Sequence, residues 1–186
     1  MEFFTSDHHF NHARIIEYAN RPFSNVDEMD AEMIDRWNSV VGEYDTVYHL
    51  GDFTLGDRET AKRYFRQLNG RIRVLANFWH HDKKWLPNMV GFSEFVSKND
   101  FLVEIRHPIV VLEFKKKHSQ VIVLSHYPQL VWDRKHYGAI HLFGHSHGRT
   151  KGGPGSMDCG VDNAYKLLGE YRPFSLEEVV RRLVKR

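Results

Sequence analysis

The sequence predicts an α/β fold with two β-sheets, not a single doubly wound sheet. Three observations carry that expectation. Apolar, strand-length runs alternate with helical patterns as far as residue 76. Beyond that point the runs are mostly strands separated by short turns. Finally, clusters of Asp, His and Asn follow the strands, where open α/β folds gather their ligands.

The elements follow in order. Glu2 to Thr5 is a short apolar strand, and Asn11-His12 opens a first helix. Asn25 to Val41 places Val26, Met29, Met33, Ile34, Trp37 and Val40 at helical spacing. Its acidic residues come early, where the helix dipole favours them. Thr46 to Leu50 is a strand, Arg58 to Leu68 a helix ended by Asn69-Gly70, and Ile72 to Ala76 a strand. Phe101 to Ile105, Ile109 to Phe114 and Val121 to Leu124 read as sheet strands, turned at His107-Pro108 and at Lys117-His118-Ser119. Ile140 to Phe143 is another strand. Ser175 to Val184 is a closing helix, with Ser175 as N-cap and Glu178 at capping-box spacing. Lys115-Lys116-Lys117 reads as a solvated turn, and Thr150 to Ser156 as a flexible loop, either a lid or a surface turn.

Length and composition set the frame. The chain has 186 residues, about one domain at ~150 residues each. A chain of this size buries roughly 70% of its unfolded surface and needs no structural staple. Lys plus Arg is 26 and Asp plus Glu is 24, a net charge of +2. That is too small to mark a dedicated nucleic-acid or membrane-surface binder. The single Cys159 excludes an intrachain disulfide framework and a cysteine-rich zinc module. It fits a cytoplasmic location. No signal peptide is visible, and the apolar runs are far shorter than the ~20 residues of a membrane span. The unusual figure is 13 His, scattered internally and pointing to metal chemistry.

The strand-end clusters specify that chemistry. Asp7 and His9 are two apart, so an extended chain aims both to one side. Asp52 follows Gly51, which lets backbone come close to an ion. Its two carboxylate oxygens suit a bridge between ions. Asn77 offers an amide oxygen, and His126, His145 and His147 offer imidazoles. Hard oxygen and borderline nitrogen without thiolate suit Mn, Fe, Zn, Co or Ni better than Ca or Mg.

Other residues carry weaker signals. His49 and His141 lie inside strands and are expected to pack or support. His12 is a candidate substrate contact. So is Arg21, since arginine binds phosphate in bidentate fashion; the alternative is a surface arginine before Pro22. Trp85, Trp132, Tyr127 and Tyr137 are expected at core edges, with base stacking as the alternative. Cys159 is expected to be a small buried hydrophobe.

The motifs Asp7-His8-His9, Gly51-Asp52, Ser125-His126 and Gly144-His145-Ser146-His147, in this order at strand ends, resemble those of the calcineurin-like metallophosphoesterase superfamily. The resemblance spans nearly the whole chain and is nearest to the small bacterial, archaeal and phage members. It implies one metallophosphoesterase domain over residues 1–186, folded as a four-layer α/β/β/α sandwich around two divalent ions, manganese foremost. By position, Asp7, His9, Asp52 and His147 would hold one ion. Asp52, Asn77, His126 and His145 would hold the other. A metal-bridging hydroxide would attack phosphorus.

One motif departs from the pattern. Where the superfamily has an uninterrupted Gly-Asn-His-Asp, this chain reads Ala76-Asn77-Phe78-Trp79-His80-His81-Asp82. In one alignment Asn77 is the ligand, His81 the acid and Asp82 its orienting partner. In the other, His80 replaces the amide ligand. The implied activity is hydrolysis of phosphomonoesters or phosphodiesters, nucleotides among them. The alternatives are a metal-dependent nuclease and a non-catalytic metal-binding interaction protein. Oligomeric state is not readable from the sequence.

Overall fold

The computed structural model describes residues 1–77, 81–86, 89–115 and 119–184. Along the chain run β1 (Glu2–Thr5), α1 (Arg14–Tyr18), α2 (Val26–Val40), β2 (Thr46–His49), α3 (Arg58–Phe65) and β3 (Arg71–Leu75). Then follow β4 (Gly91–Val96), β5 (Leu102–Arg106), β6 (Ile109–Phe114), β7 (Gln120–Ser125) and β8 (Ile140–Phe143). The chain closes with β9 (Ser156–Asp158), α4 (Val161–Leu168), β10 (Phe174–Ser175) and α5 (Leu176–Leu183). The alternation of strands and helices thus yields an α/β fold with two sheets, as expected.

The first sheet has the order β10-β1-β2-β3-β5-β4, and the second β6-β7-β8-β9. β1, β2, β3 and β5 are parallel neighbours, as are β7, β8 and β9. Their carboxyl ends are therefore aligned within each sheet. Strand alternation assigns the faces. Phe3, Val47, Ile72 and Val74 point into one core with Met29, Met33 and Trp37 of α2 and Tyr64 and Phe65 of α3. Phe4, Tyr48 and Leu75 point the opposite way, into a second core shared with Ile122, Leu124, Ile140 and Leu142 of the second sheet. Each such side chain, fully buried, contributes roughly 1.5–3 kcal/mol. Over the outer face of the second sheet lies a smaller cluster of Val123, Trp132 and Ala139, which contains no residue of an α-helix.

The sheets are tied together where the site forms. Ser6, just past β1, bridges in parallel to Gly160, just past β9, and the Val161 N–H donates to the Ser6 carbonyl at 3.1 Å. Four elements were not anticipated. β4 has mostly half-exposed residues and little apolar alternation. β9 and β10 have three and two residues. α4 follows Gly160 at its N-cap, which offers no side-chain cap. The Phe78, Trp79, His80 and Lys117-His118 readings fall outside the described residues. No helix among the described residues is long and apolar enough to cross a membrane.

Candidate metal centre

The predicted ligands follow strands, and the backbone is strained at five of the seven. Among the described residues, 10 non-glycine residues have positive φ. Asp7 (61°), His9 (54°), Asp52 (56°), His145 (65°) and His147 (50°) are half of them. A left-handed conformation at a residue with a Cβ costs about 1–3 kcal/mol and persists only where surroundings enforce it. The enforcement is visible. The Asp7 N–H donates to the Gly51 carbonyl at 3.1 Å, and the His9 N–H to the Asp52 carbonyl at 3.0 Å. The loops after β1 and β2 thus pin each other.

The side chains converge into three overlapping groups. Asp7, His9 and His147 form one; Asp52, His126 and His145 another; His9, Asp52 and His81 the third. Within each group the ligand atoms lie within 4.8 Å of one another. Asp52 joins the halves. Its Oδ2 is 3.6 Å from His9 Nε2 and 3.5 Å from His126 Nε2. Asn77 lines a cavity with His126, and its Nδ2 is buried without a hydrogen-bond partner among the described residues.

Electrostatics match a cation site. Burial, then the carboxylates of Asp158 and Asp52, push the Asp7 carboxyl well above its ordinary range, although the His145 N–H donates to it at 2.9 Å. Burial also holds His9 well below its ordinary pKa, hence neutral. Both His9 ring nitrogens are buried without hydrogen-bond partners among the described residues. A buried orphaned polar atom costs about 1–3 kcal/mol, and a neutral imidazole nitrogen is a metal ligand. The donor set therefore fits two borderline divalent cations.

Supporting groups fix the ligands. The Gly51 N–H donates to His49 Nδ1 at 3.2 Å, so His49 carries its proton on Nε2 and donates it to His8 Nδ1 at 3.0 Å. Burial lowers the His49 pKa to about 3, so this support stays neutral. His141 is likewise structural, with Nδ1 on the Val123 carbonyl and Nε2 accepting from Gln129 N–H. Gly144 leaves room for Asp7: a Cβ there would come within 2.7 Å of Asp7 Oδ2 and closer still to Ser6 Oγ.

Two expectations change. Arg21 is not a substrate contact. It is buried, and all five of its N–H groups are used. Nε and Nη2 donate to Asp162 at 2.9 Å each, Nη2 to the Asp7 carbonyl at 2.7 Å, and Nη1 to the His8 carbonyl at 2.9 Å and Met29 Sδ at 3.3 Å. It clamps the Asp7-His8 backbone. Asp82, expected to orient the His81 ring, is fully buried, and the donors to its Oδ1 come from elsewhere. Its Oδ1 accepts from Phe53 N–H (2.9 Å), Thr54 N–H (3.1 Å) and Trp85 Nε1 (2.9 Å). Asp82 therefore ties the 3-10 turn carrying His81 to the loop carrying Asp52. Burial, then Asp52, raise its pKa to about 7. His81 Nε2 is 4.0 Å from Asp52 Oδ2, and its half-buried ring lies 5.0 Å from His9 and 6.1 Å from His12. His12 thus borders the centre. Trp85, Trp132 and Cys159 are buried, whereas Tyr127 and Tyr137 are exposed.

The chain is similar to the Gene 66 protein of Mycobacterium phage L5, with 31% identity over 163 residues, 77% of this chain and 76% of that protein. The chain belongs to the family of that Gene 66 protein. A second Gene 66 protein, from Mycobacterium phage D29, is 26% identical and aligns over 89% of each chain. An uncharacterized protein of Methanocaldococcus jannaschii is 49% identical over 80 residues, but the match spans only 42% of this chain and 44% of that protein's length. No family model matches this Gene 66-type chain. Its fold is similar to the crystal structure of a protein of unknown function from Aquifex aeolicus, with a TM-score of 0.68, 23% identity and 98% of each chain covered.

Two residues of the centre escaped the sequence argument, Asp158 and Asp162. Asp158 Oδ2 accepts from Ser146 Oγ at 2.6 Å and Gly148 N–H at 2.9 Å, which shapes the His145–His147 loop. Asp162 Oδ2 accepts from His147 Nδ1 at 2.7 Å, leaving His147 Nε2 for the centre. Despite burial, hydrogen bonds from His147 and Arg21 hold the Asp162 carboxyl well below its ordinary range. The signal was Asp158-Cys159-Gly160-Val161-Asp162, another acidic cluster beside a glycine.

Proposed function

We propose that this protein is a dinuclear-metal-dependent hydrolase of phosphate esters, built as a reduced four-layer sandwich whose outermost layer is the Trp132 loop. The observation that carries this reading is the buried, neutral His9 imidazole beside Asp52 and His147, with no hydrogen-bond partner among the described residues. Asp7, His9, Asp52 and His147 would hold one cation; Asp52, Asn77, His126 and His145 would hold the other. Manganese is the first choice, with iron, zinc, nickel and cobalt suiting the same donors. When bound, two such cations supply an acidified water and positive charge against the phosphoryl oxygens.

The chain supplies the remaining chemistry. Asp52 lies between the two halves and fixes their separation. Asp162 holds His147 in one tautomer, the device by which supporting carboxylates orient metal-binding imidazoles. His81 is half-buried at the edge, so its imidazole reaches both the centre and solvent. It gives a proton to the leaving-group oxygen. Asp82 keeps the His81 turn registered on the Asp52 loop.

The test uses metal-stripped protein reloaded with manganese, assayed on p-nitrophenyl phosphate and bis(p-nitrophenyl) phosphate. Asp52→Asn loses turnover and one or both ions. His81→Ala keeps two ions and loses about 10²–10⁴ in rate, the usual worth of a positioned acid. If His81→Ala instead loses an ion, the group His9, Asp52 and His81 is a ligand set and His81 is not the acid.

A further inference from the structure

Beside the Asp52–His126–His145 half of the centre, a cavity of about 270 Å³ opens between the carboxyl ends of the two sheets. One end is Asn77 and His126, the proposed ligands of that half. Its floor is apolar, from Leu50 at the end of β2 and Leu75 and Ala76 at the end of β3. Ile109 and Tyr127 flank the mouth and are exposed at 55% and 45%. Among the described residues, no Lys, Arg, Asp or Glu lines it.

We infer that this cavity is the subsite for an uncharged aromatic group of the substrate ester, carried next to the phosphoryl group. The inference rests on the phosphoesterase reading and names the substrate class for that centre. Size supports it: a cavity of roughly 150 Å³ takes benzene, so 270 Å³ takes one substituted ring or a bicyclic base. Chemistry supports it as well. A second phosphate or a carboxylate entering here would be desolvated against leucine and isoleucine, with no cation among the described lining residues to meet it. An aromatic face finds apolar floor and the Tyr127 ring, which stands 5.0 Å from His126 and 4.6 Å from His145. The ring would thus be fixed within reach of the phosphoryl site, whereas a small alkyl ester leaves the cavity to water.

The experiment uses zinc-loaded protein, which is diamagnetic, with methyl-labelled Leu and Ile. It is titrated with phenylphosphonate, a purine nucleoside phosphonate and methylphosphonate, by calorimetry and methyl NMR. Either aromatic phosphonate should bind at least tenfold tighter than methylphosphonate and shift the Leu50, Leu75 and Ile109 methyls by ring current. Ile109→Asp should abolish that preference. The two aromatic probes separate a phenyl-sized from a base-sized occupant. Equal affinities with no shift at these methyls would overturn the subsite while leaving the phosphoesterase reading in place. Binding of no phosphonate at all would overturn that reading and the subsite with it.

Discussion

The Arg21 guanidinium and the Asp162 carboxylate meet in a buried, two-pronged ion pair, 2.9 Å at each contact, across 141 residues of chain. The same two residues reach the centre from opposite sides. Arg21 holds the carbonyls of Asp7 and His8, and Asp162 holds the ring of His147. The pair therefore sets the distance between the first and last ligand loops.

Asp162→Asn should expose this role. It leaves the Arg21 charge buried without its counter-charge, and breaking such a pair costs about 3–5 kcal/mol. It also leaves one acceptor oxygen where two served Arg21 and His147, and loosening the partner that orients His147 is worth about 10–100-fold in metal affinity. Urea unfolding of the metal-stripped protein reads the first effect, and competition with a chelator dye the second. Unchanged metal affinity would mean that His147 is oriented by other contacts.

Gly144→Ala should damage the centre from below. The added methyl would sit within 2.7 Å of Asp7 Oδ2 and nearer to Ser6 Oγ, both on buried residues. Overpacking of this kind costs about 1–3 kcal/mol. The expected result is a lower denaturation midpoint together with weaker binding at the Asp7 half.

Acid stability should depend on Glu178. Burial alone would raise its pKa, but hydrogen bonds from Arg172 and Ser175 outweigh that and hold it at about 2. A carboxyl depressed in the folded state stabilises fully above its unfolded pKa, near 4.5. That stabilisation is lost as pH falls through the folded value. Unfolding free energy should therefore drop between about pH 4.5 and pH 2, and Glu178→Gln should flatten that part of the profile. A profile identical to that of the unaltered protein would show that Glu178 is not the group responsible.

Much of this was legible in the sequence because it is local. Apolar runs placed β1, β6 and β8 at their observed bounds, and the Ser175–Glu178 capping box forms as spaced. The candidate ligands were legible because each follows a strand, and parallel strands bring their carboxyl ends together. What stayed hidden was long-range. Nothing near Arg21 announces that all its donors are spent on Asp7, His8, Met29 and Asp162. Asp158 ends, and Asp162 follows, a three-residue strand too short to show a pattern. Asp82 looked like a partner for its neighbour His81, but its three donors come from the Phe53 and Thr54 backbone and the Trp85 ring. The apolar cavity needs both sheets, and no single segment encodes it.

The most direct test of the account is metal content measured with turnover on the same sample. Protein stripped by chelation and dialysed against manganese should take up two ions per chain and hydrolyse p-nitrophenyl phosphate or its bis ester. Stripped protein should be inactive. Two ions bound with no turnover of either ester, or equal turnover with and without metal, would contradict it.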